Sequence, residues 1–143
     1  GLDLVIIDYM QLIEPHKRSD TREREVAEIS RAIKKLTLEF EIPIIALSQL
    51  NRSTANKRPT LDTLRESGAI EQDADNVILL HKPDENDVPN EDLSLYRTLK
   101  SAGRDYVEVI IGKQRNGPTG MFTMSYNPRY MEFIGIERGR EST

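Results

Sequence analysis

The sequence predicts an α/β fold, and three observations predict it. Residues 2–7 read Leu-Asp-Leu-Val-Ile-Ile, an apolar run too short for a helix and rich in β-branched residues. Residues 44–47 form a second such run, with a long amphipathic stretch between the two. Strand, helix and strand in that order make a unit whose strands run parallel. Near the C-terminus, Asn116-Gly117-Pro118-Thr119-Gly120 separates two strand-like runs and predicts a β-hairpin. The expected architecture is a mostly parallel sheet with that hairpin added.

The individual elements follow from local pattern. Only Asp3 breaks the first run, which fits a strand covered on both faces and closed by Asp8. The helix is expected over residues 21–41, because Val26, Ile29, Ile33, Leu36 and Phe40 step by three and four onto one face. Asp20 and Glu23 have the spacing of a capping box. Residues 51–59, with Arg52, Lys57 and Arg58, read as a basic loop. Residues 60–75 predict a short helix interrupted at Gly68, and residues 77–80 a third strand. Residues 83–104 are acidic and turn-rich (Asp84, Glu85, Asp87, Glu91, Asp92) and read as the mobile segment. Residues 106–111 and 121–126 are the strands of the hairpin. Asn127-Pro128 is a turn, 131–136 a last strand, and 137–143 a frayed tail.

Composition narrows the chemistry. A chain of 143 residues, 37% of them hydrophobic, suits one domain or a large piece of one. It has no cysteine, which excludes disulfides, thiolate metal sites and a cysteine nucleophile. Its two histidines, His16 and His81, do not suggest a zinc site. No apolar run approaches the roughly 18 residues of a membrane span. Strand-like sequence from Leu2 onward predicts no secretory leader within the chain. The net charge of −4 argues against an overall basic coat for nucleic acid, though not against a local basic groove.

Four places carry candidate chemistry. Asp8 follows a parallel strand at the edge where α/β sheets bind ligands; in phosphoryl transfer such a carboxylate supports a hydrated magnesium ion. The second strand runs into Ser48-Gln49, so Gln49 and Asp8 can face one site; an uncharged amide there can bond a terminal phosphate or the attacking water. Lys113 and Arg115, two apart, project to one side of an extended chain, as cations that stabilise a transferring phosphoryl group do. Arg65 and the main-chain N–H groups around Gly68, after a basic loop, can follow a nucleic-acid backbone through phosphate contacts rather than base stacking. Taken alone, each has a plainer explanation: a turn-capping Asp, a polar strand end, a solvated basic turn, a surface helix.

Taken together and in order, four stretches resemble one family. They are Leu4-Val5-Ile6-Ile7-Asp8-Tyr9-Met10-Gln11-Leu12, Ala46-Leu47-Ser48-Gln49-Leu50-Asn51-Arg52, Leu64-Arg65-Glu66-Ser67-Gly68-Ala69-Ile70-Glu71-Gln72-Asp73-Ala74-Asp75 and Ile111-Gly112-Lys113-Gln114-Arg115-Asn116-Gly117-Pro118. The chain resembles the bacterial replicative DNA helicase of the DnaB type over nearly its whole length. The resemblance implies a RecA-like P-loop NTPase core, a hexameric ring, ATP hydrolysis and movement along single-stranded DNA. It implies that Asp8 is the Walker B aspartate supporting Mg2+ and ATP. Gln49 would sense the terminal phosphate and couple it to the DNA loops. Arg65, Glu66 and Gly68 would lie along the single strand. Lys113 and Arg115 would reach in trans into the neighbouring subunit's ATP site. Primase and a helicase loader are implied partners, no membrane is, and the implied location is the bacterial cytoplasm and nucleoid or an organelle of bacterial origin.

One departure is large. The chain holds no Gly-x-x-x-x-Gly-Lys-Ser/Thr; its only Gly-Lys, Gly112-Lys113, is followed by Gln114. In the family this Walker A motif and the water-activating glutamate precede the Walker B strand. Residues 1–143 are therefore expected to be the carboxyl-terminal half of the motor domain, without the Walker A region and the amino-terminal domain. The abrupt start at Gly1 reads as a cut before the Walker B strand, leaving apolar surface on that strand exposed. Such a piece is expected to be a poor ATPase alone. The competing expectation is a non-catalytic RecA-like module that binds single-stranded DNA or docks on a helicase ring. A RecA-type recombinase relative fits residues 65–75 and the Lys113–Gly117 turn less well.

Overall fold

The computed structural model describes residues 1–14, 20–50 and 57–136, with the side chains of residues 65–67 excepted. His16, Asn51, Arg52 and the expected tail at 137–143 lie outside the described residues. The chain divides into two compact units, Gly1–Ala55 with Thr60–Val77, and Asn56–Pro59 with Ile78–Thr143.

In the first unit, β1 (Val5–Ile7) and β2 (Ile44–Ala46) pair in parallel, with Val5 beside Ile44 and Ile7 beside Ala46. The strand–helix–strand expectation holds, with shorter strands. Coverage on both faces does not hold: Ile6 is 62% exposed and Ile45 53%. The alternate residues Val5, Ile7, Ile44 and Ala46 are only half-buried, and Leu4 and Leu47 are exposed as well.

Helix α1 (Arg22–Phe40) connects the strands and matches the expected span. Its N-cap is Thr21, whose hydroxyl accepts from the Arg24 N–H at 3.4 Å, rather than Asp20. Thr21 has the extended backbone that an N-cap needs, and Asp20 instead pairs with Arg24 at 3.6 Å on the surface. Val26, Ile29 and Ser30 are buried, whereas Leu36 and Phe40 at the far end of the same stripe are exposed. The helix stops at Glu41, which adopts the left-handed conformation (φ 53°) ahead of Pro43.

After residue 60 the chain forms a 3-10 helix, Leu61–Ser67, and then α2, Gly68–Asp73. Gly68 does not interrupt the helix as expected: it is itself helical and marks the change from 3-10 to α, and the non-helical residue is Leu64 (φ −80°, ψ 16°). Two bonds hold α2 to α1: Ser30 Oγ donates to Asp73 Oδ2 at 2.8 Å, and Lys34 Nζ to Asp75 Oδ2 at 2.6 Å just beyond it.

The other sheet has four strands in the order β3 (Asn76–His81), β4 (Asp105–Gln114), β5 (Gly120–Asn127) and β6 (Glu132–Gly135). Strand β5 pairs antiparallel with both β4 and β6, so the α/β class holds with an antiparallel part larger than a single hairpin. The segment expected to be mobile is instead ordered. Residues Leu93–Ser101 form α3, which packs Leu93, Leu95 and Leu99 around Val88, Tyr96 and Tyr106. Tyr96 meets Tyr106 edge-on at 5.9 Å, a favoured aromatic geometry. The Tyr106 hydroxyl donates to Asp92 at 2.7 Å and accepts from Thr123 at 3.2 Å. Among the described residues no helix is long and apolar enough to cross a membrane.

Candidate functional site

The parallel pairing of β1 and β2 delivers two of the expected site residues to one edge. Asp8 follows the last residue of β1, and Gln49 stands three residues beyond the end of β2. Both are exposed. The ladder continues past the strands: the Leu47 N–H donates to the Ile7 carbonyl, and the Met10 N–H to the Leu47 carbonyl, each at 2.9 Å. The Asp8–Tyr9 peptide bond is cis. This edge therefore presents a carboxylate and an amide at the carboxyl ends of parallel strands, where α/β sheets receive ligands.

A hydrated magnesium ion fits that donor set. Magnesium keeps most of its waters and takes one or two carboxylates plus phosphate oxygens, so an exposed Asp8 is enough on the protein side. Among the described residues no cluster of three or more His, Asp or Glu side chains is grouped as a protein-only metal cage.

Gln11 belongs to this edge and received no role from the sequence. Its Nε2 donates to Ser48 Oγ at 2.9 Å, and its own carbonyl accepts from Arg22 at 2.6 Å. No sequence signal could have found it, because two of its partners are the main-chain groups of Gln49.

Arg65 and Glu66 lie in the 3-10 helix, with side chains outside the described residues; Gly68 opens α2. Gly68 is exposed, and a Cβ built there meets nothing within 4 Å. Arg58, read from the sequence as one of the loop cations available to phosphate, is engaged elsewhere. Its Nε and NH2 donate to the two carboxylate oxygens of Glu108 at 2.8 and 2.6 Å, and Glu108 is fully buried on β4. The hydrogen bond from Arg58 to the Glu108 carboxylate raises the arginine's pKa further, against the opposing effect of burial.

Lys113 and Arg115 occupy the β4–β5 hairpin of the second unit. Lys113 is in β4, which ends at Gln114, so Arg115 already belongs to the turn. The two-residue rule that puts both on one side of an extended chain thus does not govern Arg115. The turn is tight: a Cβ at Gly117 would come within 2.9 Å of the Gln114 side chain. On the same strand, Asp105 accepts from Lys82 at 2.6 Å and from Lys100 at 2.9 Å. Burial alone would raise the Asp105 pKa; the two ammonium groups outweigh it and hold the carboxyl below its ordinary value.

A parallel strand pair ending in an acid and an amide is the ligand-receiving edge of an α/β domain. Sequence comparison makes the assignment specific: the chain belongs to the DnaB-like helicase C-terminal domain family, whose model matches residues 1–135. It is 44% identical over 142 residues to the replicative DNA helicase DnaB of Geobacillus stearothermophilus, covering 96% of this chain and 29% of that protein. It is 46% identical over 141 residues to the DnaB of Leifsonia xyli, covering 95% of this chain and 28% of that one. The chain thus spans less than a third of the relatives' length. Among solved structures, a DnaB-like replicative helicase, whose study concerns its interactions with primase, superposes with a TM-score of 0.76 at 40% identity, over 94% of this chain and 31% of that one. A second solved chain, described as an ATPase domain, superposes with a TM-score of 0.74 at 39% identity, over 94% of this chain and 44% of that one. These similarities bear out the RecA-like fold expected from the sequence.

Proposed function

We propose that this chain is the carboxyl-terminal part of the motor of a hexameric, ATP-driven replicative DNA helicase that translocates on single-stranded DNA and unwinds duplex. The observation that carries the reading is Asp8 and Gln49 at one edge of the parallel β1–β2 pair, in a chain of this family. In this reading Asp8 holds the water shell of Mg2+, which neutralises phosphate charge when ATP is bound. Gln49 contacts the terminal phosphate. Arg65, Glu66 and Gly68 lie along the single strand, with the Arg65 guanidinium meeting its phosphates. Lys113 and Arg115 serve the ATP site of the neighbouring subunit, where a planar guanidinium can bond the transferring phosphoryl group in two places. Primase and a loader are the proposed protein partners, and the bacterial cytoplasm and nucleoid, or an organelle of bacterial origin, the proposed location.

The test is single-strand binding by the helicase that carries this chain, titrated with salt. Arg65→Ala should weaken binding across all sequences and lower the salt slope by about one, as loss of one phosphate contact requires. An unchanged slope removes Arg65 from the phosphate-binding set. A second reading is a non-catalytic RecA-like single-strand-binding or ring-docking module. Single-strand binding by the 143-residue chain with no rescue of ATP turnover by a Walker A-containing partner would select it.

A further inference from the structure

Main-chain pairing between β1 and β2 ends with the Met10 N–H on the Leu47 carbonyl. Beyond it, Met10–Leu12 turn into a 3-10 helix, which interrupts the extended backbone that ran alongside β2. The side-chain amide of Gln11 takes the next rung. Its Nε2 is anchored on Ser48 Oγ at 2.9 Å and reaches the Gln49 carbonyl at 3.5 Å, while its Oε1 accepts from the Gln49 N–H at 3.4 Å. A primary amide alone among side chains can donate and accept in this peptide-like manner; an ionised carboxylate only accepts. The Gln11 carbonyl in turn accepts from Arg22, the first residue of α1, at 2.6 Å. Helix α1 carries Ser30 and Lys34, which hold Asp73 and Asp75 at the end of α2. Every group in this series lies in the first unit.

We propose that Gln11 is a positioning residue: its amide fixes the main chain of Gln49 at the edge that carries Asp8, and its carbonyl ties that edge to α1. The inference rests on the reading of Gln49 as the phosphate-contacting group. Loss of the amide frees residue 49 to leave its register, so ATP binding and the response to DNA weaken together while the fold remains. A purely structural role would instead lower thermal stability and scale ATP turnover with and without DNA by one common factor.

The experiment measures ATP turnover against ATP concentration, with and without single-stranded DNA, in the full helicase that carries this chain. Gln11→Ala and the near-isosteric Gln11→Glu are compared with wild type, and thermal midpoints are recorded alongside. Both variants should lose about fivefold of the DNA stimulation ratio, the worth of one net hydrogen bond, and raise KM for ATP at unchanged midpoint. Ser48→Ala, which removes only the anchor, should move the ratio in the same direction by less, and serves if a Gln11 variant fails to fold. A ratio equal to wild type in Gln11→Ala and Ser48→Ala overturns the positioning role alone. A wild-type helicase that DNA does not stimulate overturns the reading of Gln49, and the positioning role with it.

Discussion

Glu108 shows how a single residue can dominate a unit's electrostatics. A fully buried carboxylate is costly unless its charge is met, and Arg58 meets it through both oxygens. Arg58→Ala leaves Glu108 uncompensated. Because the Arg58 side chain is 46% exposed and water can partly replace it, the expected loss is about 3 kcal/mol, the lower end for breaking a buried pair. Chemical denaturation of the two proteins reads this directly; a loss under about 1 kcal/mol would show that the pair contributes only as a surface bridge does. The sequence offered Arg58 as a loop cation and Glu108 as one polar residue within a strand. Their partnership spans fifty positions and leaves no local trace. Asp105 gives a pH signature. Its folded pKa lies below the ordinary 3.8, so its contribution to stability is present above that value and is lost as pH falls through the lowered one. Wild type should therefore lose more stability than Asp105→Asn on acidification below about pH 4. Parallel acid limbs would remove the lysine clamp as a source of stability.

Among the elements, α1 was legible from its three-and-four spacing and α3 was not. Leu93, Tyr96 and Leu99 also recur every three residues, but they follow a dense acidic stretch and make only nine helical residues. A helix that short is marginal by itself and forms because Tyr106 and Val88 receive its apolar side. Tertiary packing of that kind is invisible to a local pattern. Strand ends depart from expectation for a related reason. The sequence marks where apolar character stops, whereas pairing decides where a strand stops: β1 starts only where Val5 finds Ile44, and β4 runs on to Gln114. The end of α1 offers a test at this scale. Glu41 holds φ at 53°, a conformation that glycine adopts without cost, and Glu41→Gly should stabilise the chain by about 0.5–1 kcal/mol. A lower thermal midpoint for this variant would mean that the Glu41 side chain makes a compensating contribution.

For the whole molecule, the site was more legible than the packing. Asp8 and Gln49 could be set at one edge from the order strand, helix, strand alone, since parallel strands discharge on the same side. The phosphate chemistry proposed for that edge came from motif order and family membership rather than from composition; the acidic balance of −4 gave no hint of it. Gln11 went unassigned because two of its partners are main-chain groups, which have no signature in sequence. The central proposal, part of an ATP-driven motor that works with its neighbour, predicts that residues 1–143 by themselves, which bear Asp8, Gln49, Lys113 and Arg115 but no Gly-x-x-x-x-Gly-Lys-Ser/Thr, turn over no ATP. The most direct measurement is ATP turnover with and without single-stranded DNA, by the 143-residue chain alone and mixed with the Walker A-containing segment of the same motor. The expected result is negligible turnover alone and DNA-stimulated turnover in the mixture, abolished by Arg115→Ala. Robust turnover by the isolated chain, or a mixture indifferent to Arg115→Ala, would contradict the assignment.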